Sequence, residues 1–488
     1  MSSDFSGIHD RNFAIGLAAI LFVVTFCWYL AVGGVIDDDG DAVYRWGSLT
    51  HFLRTGEAPA LNHHTLRWAL NLPILLYLKL VGSFHPVFYH SIMPTFAAAT
   101  SVATYLIVRS GEYKKSKELG CCILVATAMF TSPSVVPFTQ LLPSGAAVFY
   151  ISASLLFMKW GLSPASKRPG LWLFFAGVFS LLAYGSKLTT LWFVVPLGLF
   201  VLLSSWRDKD LYKIIAFATP FLVGLAVETA LVNKLVGFEF GRALYVVSEE
   251  SGHGARVRAG GVDFGEGFYT FLEFLKSPSK YYTGLGRNWS LLIYGTQIFI
   301  CFCVFIHRSR KFLESFEICL MSTIVGFFLL QSYVVIDVSP YIFPEHFNVA
   351  RYMFPLVFLC SVLWVYQLSK IFDIEGKEIN HVWRLSFSIV KTTILILSIS
   401  LLATNVFSKH HPFGMINTLA HNKVLTKWVD QGGKVGYVAP IKSVLSISPK
   451  NIRKTTGKTL RNILSLRKYV HYVYRREYCR LRETFVYR

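Results

Sequence analysis

Four aspartates occupy five positions just after the first long apolar run of the chain. They are Asp37, Asp38, Asp39 and Asp41, in the stretch VIDDDGDAVYRWGSLTHFLRTG from Val35 to Gly56. Tyr44, Arg45 and Trp46 follow at once. A carboxylate cluster at the mouth of a membrane span is energetically costly and points to function. A partly desolvated aspartate there can take the proton from an incoming hydroxyl, or hold a divalent metal that steadies a leaving phosphate. The same residues also read as a solvated acidic turn capping a helix that starts near Ala42. Asp39 and Asp41 lie nearest that helix and its Tyr44, so they are the candidate catalytic pair, as base or as metal ligands.

Cations that suit a phosphate come later. Lys187, in Tyr184-Gly-Ser-Lys-Leu-Thr, sits between two short apolar runs and presents a compact ammonium. Its alternative is a lysine snorkelling at the interface. Arg351 and Tyr352 open a late apolar run after Glu345 and His346. A guanidinium there can grip a phosphate bidentately or anchor the helix at the interface. His346 is a loop histidine of weaker standing. Glu228 lies inside an apolar run, LAVETALVNK, and reads either as a substrate ligand or as the partner of Lys234. Arg67, at the start of a leucine-rich segment, joins the candidates. Arg256 and Arg258 stand in a glycine-rich, charged stretch that also holds Arg242, Glu249, Glu250 and His253, the pattern of a mobile substrate loop.

The elements that must position these groups are membrane helices. The 488 residues are 53% hydrophobic and 16% charged, with a mean hydropathy of +0.47. Soluble domains average about 25% charged residues. A spanning helix needs about 20 apolar residues. The expected architecture is an all-α polytopic membrane protein with about 11 spans, 12 and 13 remaining as alternatives. The first run, from Asn12, is too long for the apolar region of a cleaved signal and stays as span one. Between spans one and two, Asp41–Thr55 and Leu66–Gly82 are expected to lie along the membrane as helices. Charge decides this for the second. If Leu66–Gly82 crossed, the basic loop with Arg109, Lys114, Lys115 and Lys117 would fall on the side of the aspartates, against the preference of basic loops for the cytoplasm. Spans two to eleven then follow at about 86–108, 119–136, 144–160, 171–184, 189–205, 214–236, 289–306, 316–336, 352–368 and 387–406. The predicted domain 1–406 thus has two long outer segments, 33–85 and 237–288. The N-terminus falls in the cytoplasm and the C-terminus outside.

The net charge is +20, and residues 407–488 hold 17 Lys and Arg against 3 Asp and Glu, or +14 of it. Basic residues beside a bilayer meet anionic headgroups, so the excess gives no reason to expect nucleic acid. The tail reads as a small α/β piece, helix 416–429 and strand 434–438, followed by a basic, tyrosine-rich end that is either a surface helix or unstructured. Seven of the eight cysteines lie in apolar runs, without the spacing of a disulfide framework or a metal site.

A long first span, then Asp41-Ala42-Val43-Tyr44, then an amphipathic helix ending at Gly56, resembles the GT-C glycosyltransferases. That superfamily includes protein O-mannosyltransferases, the aminoarabinose transferase of lipid A and the rhizobial galacturonosyltransferases of lipopolysaccharide. Lys79 to Gly82 (Lys-Leu-Val-Gly), the Tyr105-Leu106-x-x-Arg109 ending of the next span, the Lys187 turn and Arg351-Tyr352-x-x-Pro355 are similar to segments of the same family. Many members carry paired prolines before the flat helix, where this chain reads His63-His64-Thr65-Leu66-Arg67. The resemblance implies a polyprenyl-phosphate sugar donor and an acceptor that is lipid A, lipopolysaccharide core, another glycan or a protein. It places the active site on the periplasmic face of a bacterial inner membrane. It also implies that Asp41, helped by Asp39, acts as base or metal ligand, while Lys187 and Arg351 hold the donor phosphate. Two other readings fit many spans and a large outer loop. An O-antigen polymerase or ligase would need no acidic cluster after span one. A secondary transporter would carry polar or broken helices mid-membrane.

Overall fold

The computed structural model describes residues 2–32, 41–57, 66–82, 86–109, 115–130, 138, 143–236, 242, 287–310, 313–333, 350–373 and 381–406. All the elements among them are helical. They are α1 (Ser2–Val32), α2 (Asp41–Thr55), α3 (Trp68–Val81), α4 (Pro86–Val108), α5 (Lys115–Phe130), α6 (Pro143–Leu162), α7 (Pro169–Ser186), α8 (Leu191–Asp208), α9 (Leu211–Val236), α10 (Arg287–Arg310), α11 (Ser315–Tyr333), α12 (Ala350–Asp373) and α13 (His381–Val406), with a 3-10 turn at Leu188–Thr190 before α8.

Among the described residues seven segments are long and apolar enough to cross a membrane: Asn12–Ala31, Ser91–Val108, Pro143–Leu162, Pro169–Ser186, Leu188–Asp208, Leu211–Lys234 and Phe354–Phe372. A helix also stands at each of the four other expected spans. Among the described residues these remain shorter or less apolar, as in Leu292–His307, Ser315–Leu330 and Ser388–Thr404. The faces turned away from the bundle carry Leu199, Leu203, Leu222, Leu231, Ile298, Phe302 and Ile396, all exposed. Large apolar side chains on the outside of a helical bundle suit contact with lipid tails. The expected α/β piece of the tail lies outside the described residues.

Small residues set how closely the helices approach, as between membrane helices generally. The tightest seam joins α7 and α9. A Cβ on Gly177 would stand 2.1 Å from the Phe217 carbonyl oxygen and 2.8 Å from Pro220 Cγ, and one on Gly224 would stand 2.1 Å from Leu181 Cδ2. The two backbones are therefore nearly in contact. Between α6 and α7, the Ser154 hydroxyl lies 3.0 Å from both the Ala176 carbonyl oxygen and the Ser180 hydroxyl. The Tyr29 hydroxyl of α1 donates to the Met129 carbonyl at the end of α5, at 2.5 Å.

A polar clamp holds one end of the bundle. Lys370 of α12 pairs with Glu317 of α11 at 2.9 Å and with Glu314 at 3.1 Å. Gln367 donates to Glu317 at 2.6 Å, and the Ser369 hydroxyl donates to the Val108 carbonyl at the end of α4, at 3.0 Å. Lys159 of α6 donates to the carbonyls of Ile107 and, at 2.7 Å, Arg109. Glu118 of α5 accepts the Tyr105 hydroxyl and pairs with Arg109 at 3.4 Å. Six helices finish or begin their crossing at these contacts, counting α10, whose His307 Nδ1 accepts the Leu313 N–H at 3.0 Å.

The helix α3 runs across the bundle at the other end. Near its start, the Ala69 carbonyl accepts the Tyr150 hydroxyl at 2.8 Å; near its finish, Tyr77 meets the Ser91 hydroxyl at 2.7 Å. Tyr150 lies seven residues into α6 and Ser91 five residues into α4, or about 10 Å and about 8 Å from the tips of those helices. Both ends of α3 therefore sit at a similar depth, so the segment runs across the bundle and not alongside α4 and α6. Gly82 ends it in the left-handed conformation (φ 67°), its N–H donating to the Leu78 carbonyl at 3.0 Å. The buried face carries Leu70, Asn71, Ile74 and Leu78, while Leu72, Leu76 and Leu80 are exposed.

The α7–α9 seam gives a direct test. Gly177→Ala drives a methyl into the Phe217 carbonyl, an overpacking that costs about 1–3 kcal/mol. It should lower the thermal midpoint of the detergent-purified protein, read by intrinsic fluorescence. Gly295→Ala, where a Cβ meets nothing within 4 Å, should leave the midpoint unchanged.

Candidate functional site

The polar centre of the α3 end is one arginine. Arg242 is 3% exposed and pairs through Nε with Glu228 of α9 at 2.6 Å, Glu228 being 6% exposed. Its two Nη atoms reach three carbonyls: Leu66 at 3.3 Å, Gly185 at 3.2 Å and Tyr184 at 2.5 Å. The guanidinium also lies over the Tyr184 ring, 4.4 Å from its centroid. A guanidinium offers five N–H donors in a planar fork. Here that fork ties together Leu66, two residues before α3, the last turn of α7 and the interior of α9. The two α7 carbonyls are among those that a helix leaves unmet at its C-terminus, and Arg242 meets them.

Of the two expectations for Glu228, the pairing with Lys234 is not met. Lys234, six residues further along α9, is exposed, so it is not the partner. The pair is with Arg242, because a buried carboxylate in a helix interior needs a cation on its own face, and position 234 projects elsewhere.

Lys187 follows α7 directly. Its backbone is extended (φ −152°, ψ 123°), and its N–H donates to the Ala183 carbonyl at 3.1 Å. The side chain is 7% exposed and its ammonium donates to the Ser144 hydroxyl at 2.8 Å. This removes the snorkelling reading: the ammonium turns into the bundle, against the first turn of α6. Gly185 makes room for the start of α3, since a Cβ there would stand 2.6 Å from the Trp68 ring and 2.9 Å from Ala69 Cβ. Two buried donors beside this turn, Trp68 Nε1 and Thr189 Oγ1, have no hydrogen-bond partner among the described residues. Such groups cost about 1–3 kcal/mol each when unmet, and an anion brought to this turn would find them available.

The other sequence candidates fall as follows. Asp41 and Tyr44 lie in the first turn of α2. Arg67 is the residue before α3, half-buried, its carbonyl accepting the N–H of Leu70 at 3.0 Å and of Asn71 at 2.9 Å. Arg351 and Tyr352 lie in the first turn of α12. That helix ends beside Val108 and Glu317 in the clamp, and its 24 residues span about 36 Å. Its start therefore lies towards the α3 end of the bundle. Asp39, Arg256, Arg258 and His346 lie outside the described residues. Among the described residues no group of three His, Cys, Asp or Glu side chains comes together to hold a metal ion. The divalent-ion alternative rests on Asp39 and Asp41, whose side chains are not described.

Sequence reasoning passed over three residues that the structure makes prominent. Arg242 reads in the sequence as one more charge of a glycine-rich loop, although it is the first arginine after α9 and the nearest to Glu228. Ser144 carries no motif. Arg45 of α2 is 2% exposed, the bulkiest of the fully buried side chains. Its signal is a lone cation on the apolar side of an otherwise amphipathic helix.

No protein-family model matches the chain, and no curated protein matches it.

The buried pair makes a stability prediction. Glu228→Leu leaves the Arg242 guanidinium charged and unpaired in the interior, which costs about 3–5 kcal/mol. The purified variant should show a markedly lower thermal midpoint, and adding Arg242→Met to it should recover part of the loss. A double variant less stable than the single one would contradict this account of the pair.

Proposed function

We propose that the chain is an integral membrane glycosyltransferase of the GT-C type, transferring a sugar from a polyprenyl-phosphate donor to an envelope acceptor. The acceptor classes are lipid A, lipopolysaccharide core, another glycan or a protein. One observation carries the reading: Arg242 moors the first loop, on which the acidic motif lies, to the turn that bears Lys187. A carboxylate for proton transfer and cations for a phosphate then belong to one end of the bundle.

In this mechanism the Asp41 carboxylate, with Asp39 beside it in the chain, accepts the proton of the acceptor hydroxyl. The freed oxygen attacks the anomeric carbon of the sugar. The bond from that carbon to the phosphate oxygen breaks, and the electron pair leaves with the polyprenyl phosphate. Lys187 and Arg351 offset the charge that builds on the leaving phosphate. The polyprenyl tail stays among lipid tails, against the apolar outer faces of the helices.

Sidedness in this reading follows from charge. The clamp end carries Lys115, Lys159, Lys167, Arg168, Arg207, Lys209, Lys213 and Lys370 at helix ends and in short connections. Basic short loops face the cytoplasm, so the α3 end faces the periplasm of a bacterial inner membrane. Eleven crossings satisfy that assignment, the four shorter apolar helices included.

The test is mass spectrometry of envelope glycolipids and glycoproteins from cells with the gene, without it, and with Asp41→Asn in its place. One hexose-sized or uronic-acid-sized mass should vanish in both altered strains. Turnover of the donor by the purified variant should fall about 100-fold or more, the usual contribution of a general base. An unchanged envelope glycan profile in the deletion strain would sink the reading.

A further inference from the structure

Arg242 does more at the α3 end than neutralise Glu228. A charge pair alone would need one N–H, directed at one carboxylate. The observed fork spends its two terminal nitrogens on backbone carbonyls of two separate elements, Leu66 before α3 and Tyr184 with Gly185 at the end of α7. Those carbonyls lie two and three residues before Lys187. The next backbone link in that turn, Lys187 N–H to the Ala183 carbonyl at 3.1 Å, closes the helix on which the lysine rides. The Lys187 ammonium is in turn fixed at Ser144, 2.8 Å away.

We propose that Arg242 is a positioning residue for phosphate binding: its fork to the Leu66, Tyr184 and Gly185 carbonyls holds the Lys187 turn and the start of α3 in register, and its charge on Glu228 serves stability alone. The guanidinium itself does not bind the phosphate. It is 3% exposed, its two terminal nitrogens are directed at the three carbonyls, its Nε lies 2.6 Å from the Glu228 carboxylate, and its face lies over the Tyr184 ring. The ligand class is a lipid-borne phosphate monoester or diester, and this deepens the function proposed above and rests on it.

The two roles separate by chemistry. Lysine in place of arginine retains a cation for Glu228. An ammonium is a point charge, though, and cannot span a carboxylate and three carbonyls on two elements as a planar fork does. Arg242→Lys should therefore keep a thermal midpoint near that of wild type while losing the register of the turn.

The experiment uses the full chain in detergent with two probes, undecaprenyl phosphate and undecaprenol, which share a tail and differ in the phosphate. Wild type should bind the phosphate-bearing lipid more tightly. Arg242→Lys should bind undecaprenyl phosphate about tenfold more weakly, with undecaprenol binding unchanged. Hydrogen exchange of peptides covering 184–190 and 66–71 should rise in the variant, while exchange in the clamp, around 105–108 and 366–370, stays at the wild-type level. Wild-type exchange at 184–190, or wild-type affinity for undecaprenyl phosphate, in Arg242→Lys overturns the proposal. If Arg242→Lys fails to fold, the pair Arg242→Met with Glu228→Leu takes its place. It removes the buried charges together and carries the same expectations for affinity and exchange. A wild-type protein that does not distinguish the two lipids overturns instead the assignment of Lys187 to a donor phosphate.

Discussion

A carboxylate two turns inside an apolar helix is tolerable only with a cation to meet it, and that requirement shapes one end of this protein. Moving an ion from water into a low-dielectric interior costs several kcal/mol even after relaxation, and a lone carboxylate there would be far less stable than a paired one. Glu228 therefore demands Arg242. Arg242 comes from beyond α9 in the chain and meets Glu228 in the interior. Once buried, its remaining N–H groups also need acceptors, and the nearest are the carbonyls that α7 leaves unmet at its C-terminus together with that of Leu66. The mooring of the first loop is thus a consequence of satisfying one buried charge.

The two ends of the bundle solve different problems with the same materials. At the clamp end, carboxylates and cations largely meet each other: Lys370 with Glu314 and Glu317, Arg109 with Glu118. Those contacts join helices to helices and leave each charge a protein partner. At the α3 end, Arg242 meets Glu228 together with three backbone carbonyls, and Lys187 donates to the Ser144 hydroxyl. An end built of mutually neutralised pairs suits a rigid base. The near-contact of the α7 and α9 backbones at Gly177 and Gly224 fixes Glu228 in height relative to Tyr184, so neither member of the Arg242 node can slide.

The helices were largely legible in the sequence, because apolar runs of membrane length leave few alternatives. The bounds of α2 and α4 agree with their patterns, and α3 stands where a helix was expected. Segments such as α10 and α13 show why span counts are harder. Polar residues within them, Tyr294, Thr296 and Gln297 or Ser388 and Thr392, dilute the apolar signal. The site was legible only in part. Lys187 and Glu228 stand out as charges in apolar surroundings, so composition alone singles them out. Their partners do not: nothing in the one-dimensional order links Arg242 to Leu66, 176 residues earlier, or Lys187 to Ser144. Such pairings arise from tertiary packing, where one side chain answers a need created by another.

The exposed leucines of α3 bear on how the first loop can move. In a bilayer, Leu72, Leu76 and Leu80 enter the region between headgroups and tails, and burying a leucine is worth about 1.5–3 kcal/mol. Lifting the helix towards water would forfeit that contribution from each of them and break the Tyr77 and Ala69 contacts beneath. Swinging it sideways, within the plane, forfeits none of the leucine burial. It would still break the Tyr77, Ala69 and Leu66 contacts, so protein partners fix the helix in the plane, while its leucines resist only lift.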